Sequence, residues 1–134
     1  MKMSSTMKVV AAIARILLGA IFVVFGLNLY LNFLHMGPMP TGVAAEFFGA
    51  LASTHYLYVV AVFQVIPGLL LLFNRYVVLA LALLAPVIFN ILVIHILMAP
   101  SGLLLAVIVA LLWVLVFHRH RAAFSFLLQK RTED

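Results

Sequence analysis

Residues Tyr76–Pro100 read YVVLALALLAPVIFNILVIHILMAP, with no charged residue from end to end. About 20 residues at about 1.5 Å rise each cross the hydrocarbon core of a bilayer. The stretch is therefore long enough to span a membrane with some tilt. Pro86 inside it is tolerable there, because a bilayer helix accommodates a kink. Two residues do not suit oil: the amide of Asn90 and the imidazole of His95. What they are for depends on the rest of the chain.

The composition agrees with a membrane setting. Of 134 residues, 68% are hydrophobic and 8% are charged. A soluble domain is about half apolar and about a quarter charged. There is no cysteine, so disulfides, thiolate metal sites and thiol redox chemistry by this chain are excluded. The basic start MKMSSTMKVV leads into an apolar run too long for the h-region of a signal peptide. That run is expected to stay as an anchor.

The sequence predicts a single all-α membrane domain over residues 1–134, built as a four-helix bundle. Its spans are expected at about 9–35, 56–73, 76–98 and 102–118, with a basic tail over 119–134. Gly37-Pro38 and the following residues end the first span. Asn74-Arg75 and Ala99-Pro100-Ser101-Gly102 form tight turns. The segment VAAEFFGALAS, between Val43 and Ser53, is too short to span and reads as an interfacial or re-entrant helix between spans one and two.

Charge placement gives the orientation. The eight basic residues are Lys2, Lys8, Arg15, Arg75, Arg119, Arg121, Lys130 and Arg131. With four spans all of them fall on one side, and the two opposite loops have none. The positive-inside rule then puts both termini of a multi-pass protein in the cytoplasm. Arg15 is expected to snorkel to the cytoplasmic headgroups. HRHRAAFSFLLQKR reads as a tail at the membrane surface. Membrane lipid is thus the expected partner of the +5 net charge, and nucleic acid is not.

Seven polar residues share the outward half: Asn28, Asn32, His35, Glu46, Gln64, Asn90 and His95. Asn28, Asn32 and His35 are spaced i, i+4, i+7, which places them on one helical face. An unpaired polar group inside a bilayer costs several kcal/mol in order of magnitude. Such groups meet one another or a wet cavity. Two readings stay open. The residues line an outward-facing pocket for a ligand, or they are interhelical hydrogen bonds that hold the bundle. Gln64 has a third duty available, satisfying carbonyls freed by Pro67. Asn90 and His95 are five apart, about 140° around a helix, and are not expected to share a partner. His35, Glu46 and His95 have the ligand types for zinc, but nothing in their spacing enforces a site, and no metal is expected. No catalytic triad, carboxylate pair or phosphate-binding loop is present, so no catalytic residue is assigned.

Four segments together resemble the DoxX family of small four-helix bacterial membrane proteins. They are RILLGAIFVVFGLNLYLNFL, the piece leading to FFGALAS, FQVIPGLLLLFNRY and APVIFNILVIHILMAPSG. The most specific matches are Arg15, Leu18, Gly19, Phe25 and Gly26, then Gln64 and Gly68, then Asn90 and His95. The resemblance covers about Ala12 to Leu115. It implies kinship with the membrane subunit of a thiosulfate:quinone oxidoreductase, hence a quinone as ligand and a redox partner protein. Members often carry a lysine after the Phe-x-x-x-Gly region of the first helix, where this chain has Asn28 nearby. The expected function is an outward polar pocket for a quinone or lipid-like molecule. In it Gln64, Asn90 and His95 hydrogen-bond a carbonyl or hydroxyl, and Glu46 or His35 relays a proton. A structural anchor for a partner protein, a small transporter subunit and a homo-oligomer are the alternatives in view.

Overall fold

The computed structural model describes residues 3–35 and 39–131. It is all-helical, with no strand among the described residues. Five α-helices run in chain order: α1 (Ser5–Leu31), α2 (Gly42–Ser53), α3 (Tyr56–Leu72), α4 (Val77–Leu97) and α5 (Leu103–Phe124). Single 3-10 turns lie at Pro100–Gly102 and Ser125–Leu128.

Local chemistry sets the boundaries. Ser4 caps α1, its hydroxyl accepting from the Met7 amide at 3.2 Å. The helix therefore starts before the apolar run predicted to begin at Val9. It stops at Leu31, because Asn32 takes a left-handed conformation (φ 51°) and its N–H returns to the Asn28 carbonyl at 2.8 Å. Asn28, Asn32 and His35 consequently do not share a helical face: only the first lies within the helix. The first predicted span, drawn to 35, is too long at that end. α5 runs on to Phe124, beyond the boundary expected near 118. α3 and α4 continue through Pro67 and Pro86. α2 falls where a short non-spanning helix was expected, bent by 85° from α3.

α1 touches α3 and α5, and α4 touches the same two helices, so α1 and α4 lie on opposite sides of the group. The contacts run antiparallel. An added Cβ at Gly19 would come within 2.8 Å of the Gly68 carbonyl oxygen, and one at Gly26 within 3.0 Å of the Gln64 Cβ. Small residues let the two backbones approach this closely. The Trp113 indole N–H donates to the Leu81 carbonyl at 2.9 Å and ties α5 to α4. The guanidinium of Arg15 donates to the carbonyls of Leu71 and Leu72 at the end of α3. It thus caps a neighbouring helix at the basic end of the molecule, with its positive charge at the negative end of that helix.

The interior is unevenly filled along its length. Near the end where Arg15, Arg75 and Arg119 lie, Leu18, Leu71, Leu81, Leu84 and Val116 are fully buried and come from all four long helices. The outside is apolar: Ile13, Leu17, Val24, Leu79, Leu104 and Leu111 are among the exposed large side chains. An apolar surface of this extent is compatible with contact with a membrane. Ser5–Leu31, Val77–Leu97 and Pro100–Leu128 are long and apolar enough to cross one, and α2 with α3 makes a fourth if the bent pair counts as one span.

Candidate functional site

At the end away from the basic residues the helices part around a cavity of about 820 Å³. α1, α4 and α5 each contribute one face, and α3 a single residue. From α1 come Ile21, Phe22, Phe25, Asn28 and Leu29. α4 offers Ile91 and His95, at i and i+4, and Met98 follows just past its end. α5 and the turn before it supply Gly102, Leu105, Ala106 and Val109, and α3 adds Gln64. Across the mouth lie Met39, Pro40 and Thr41, then Ala44 and Phe48 of α2. The walls are mainly aromatic and aliphatic, with few polar groups, as in small-molecule sites generally.

Gln64 is the polar residue buried deepest, at 7% exposure. Its amide hydrogen-bonds no described residue, yet no sealed polar side-chain atom is left unpaired among them. The amide therefore keeps some accessible surface, and Gln64 lines the cavity. It does not satisfy a carbonyl freed by Pro67.

His95 is half-buried on α4. Its Nδ1 lies 2.9 Å from the Ala99 carbonyl oxygen. A carbonyl only accepts, so Nδ1 carries the proton, and in the neutral ring Nε2 is left as an acceptor. The ring lies against Gly102, where a side-chain Cβ would collide with its Nδ1–Cε1 edge. The Ala99-Pro100-Ser101-Gly102 turn thus does more than reverse the chain. It supplies both the carbonyl and the gap that orient the imidazole.

Asn28 lines the cavity but is largely engaged by its own segment. Its Oδ1 accepts from the Leu34 amide at 2.7 Å, and its Nδ2 donates to the Leu34 carbonyl at 3.2 Å. The side chain closes the turn that follows α1. One N–H and one lone pair of the amide remain.

The other four candidates stand elsewhere. Asn90 is exposed and donates to the Pro86 carbonyl of its own helix at 2.9 Å. It comes one residue before Ile91, about 100° off the cavity-lining face. Asn32, His35 and Glu46 are exposed and are not among the lining residues. Among the described residues, no group of three or more His, Cys, Asp or Glu is placed to hold a metal ion.

Thr41, Ser101 and Gly102 were not singled out as site residues from sequence, although all three line the cavity. The signal for Gly102 was available in principle: a glycine seven residues after a histidine, across a proline turn. The cavity walls were not visible in that way. Phe22, Phe25 and Leu29 have the spacing of ordinary core residues, and only the packing shows that they border open space.

An all-helical protein with several helices apolar enough to cross a bilayer, compatible with a multi-pass membrane protein, is the class these features define. No protein-family model, curated protein or solved structure matches this chain.

Proposed function

We propose that this chain is a DoxX-like four-helix protein of the bacterial inner membrane. Both termini lie in the cytoplasm, and its outward cavity binds a quinone or lipid-like molecule as part of a membrane redox complex. One observation carries the reading: Gln64 from α3 and His95 from α4 meet in one apolar-walled cavity, each with hydrogen-bonding capacity left over. Volumes of several hundred Å³ suit a drug-sized molecule. The positive-inside rule supports the orientation, since the cavity is at the end away from the basic residues. The filled half below it, with Leu18, Leu71, Leu81, Leu84 and Val116, offers no polar path and speaks against conduction by one chain. The chain has no cysteine, so any thiol chemistry in such a complex belongs to a partner protein.

The test is mass spectrometry of small molecules released from protein purified in mild detergent, for the parent, Gln64→Leu and Asn90→Leu. The reading expects a quinone or one lipid species enriched in the parent and in Asn90→Leu, and lost from a folded Gln64→Leu. A second reading, a structural anchor for a partner protein, draws on the amides of Asn28 and Asn90, which bond within their own segments. It expects no enrichment over bulk lipid in any sample.

A further inference from the structure

Among the described residues, His95 is the only titratable one that lines the cavity, with no Lys, Arg, Asp, Glu or second His beside it. A charged ligand group drawn into this half-open, mainly apolar cavity would lose hydration without gaining a counter-charge from the described lining residues. The lining favours an uncharged occupant.

The polar groups also differ in what they ask for. The Gln64 amide both donates and accepts, and so do the Thr41 and Ser101 hydroxyls. His95 is different, because its hydrogen bond to the Ala99 carbonyl fixes the proton on Nδ1. The neutral ring can then only accept at Nε2, which bonds no described residue. Gly102 lies against the same ring, at its Nδ1–Cε1 edge. A carbonyl oxygen facing Nε2 would set two acceptors against each other. A hydroxyl would be matched.

We infer that the cavity selects an uncharged amphiphile bearing a hydroxyl group, whose O–H donates to Nε2 of His95 while Gln64 contacts a second oxygen. This rests on the proposed function above, and it narrows the ligand from quinone-like or lipid-like molecules to hydroxylated ones. If a quinone couple is bound, the reduced dihydroxy form is the one held.

Three ring compounds of closely similar shape test the idea. They are 2-decylhydroquinone, 2-decyl-1,4-benzoquinone and the dimethyl ether of the hydroquinone. Each is titrated anaerobically into the purified full-length protein in detergent at neutral pH. One hydrogen bond gained or lost corresponds to about a tenfold change in Kd. The expected result is hydroquinone binding about tenfold tighter than quinone or ether, with that margin collapsing in His95→Phe. The comparison within the parent protein stands even where that variant does not fold. Equal binding of all three, or tighter binding of the quinone, overturns hydroxyl selection and leaves the cavity as a site. Binding of none overturns the cavity reading itself.

Discussion

His95 and Gly102 are matched by sterics: the imidazole occupies the volume that any side chain at position 102 would need. Gly102→Ala must push the ring aside or open the turn, either of which breaks the bond to Ala99. Strain of this kind costs about 1–3 kcal/mol. The expected outcome is a lower Tm together with a changed His95 ring environment by NMR. An unchanged ring signal would contradict the contact between Gly102 and the imidazole. The asparagines make a contrasting pair. Asn28→Ala removes two hydrogen bonds to Leu34 and should cost about 1–3 kcal/mol in a detergent unfolding titration. Asn90→Leu removes only a bond to its own helix at an exposed position, and should change stability by no more than about 0.5 kcal/mol. From sequence these two amides looked alike. What separates them is register: a one-residue offset from Ile91 turns Asn90 out of the cavity-lining face, and an alternation of nearly uniform apolar residues around it gives no sign of which face is inside.

At the scale of the helices, stability comes from close approach and a few hydrogen bonds, because in lipid apolar burial alone gives no drive to associate. The crossing of α1 and α3 at Gly19 and Gly68 is the clearest case. Gly19→Leu or Gly68→Leu must force the helices apart, at about 1–3 kcal/mol or more. Gly49→Leu on α2, with nothing within 4 Å of its added Cβ, is the matched control and should be tolerated. Thermal unfolding of the three variants in one detergent reads the difference. The helices themselves were legible, since long charge-free runs between Gly, Pro and Asn-Arg turns leave few other assignments. Their ends were less so. Asn32 stops α1 through a left-handed cap that composition does not reveal. Arg15, expected from sequence only to reach toward the basic end, also caps α3 through a contact between residues 56 positions apart. No local pattern encodes that pairing.

For the whole molecule, one half is packed and the other hollow. Leucines and a valine from four helices close the basic end, and the polar groups collect at the other. The absence of cysteine makes orientation simple to measure with single substitutions. Ser125→Cys should react with a membrane-impermeant maleimide only after cells are opened, whereas Ser53→Cys should react in intact spheroplasts. Labelling of both from outside would contradict cytoplasmic termini. That three of the seven polar candidates, Asn28, Gln64 and His95, border one cavity follows from their depth along the helices, which hydropathy and charge already gave. Which residues lacked a place there depended on rotation about each helix axis, which they did not give.

The central claim is that the cavity, and not the lipid-facing surface, holds a ligand. Photo-crosslinking with an azido-quinone, followed by peptide mapping, tests this most directly. The account predicts label on Phe22, Phe25, Phe48 or Met98, reduced by excess unlabelled decylhydroquinone and absent from a folded Gln64→Leu variant. Label spread over the outward-facing Leu104, Leu111 and Val114, and indifferent to competitor, would contradict it.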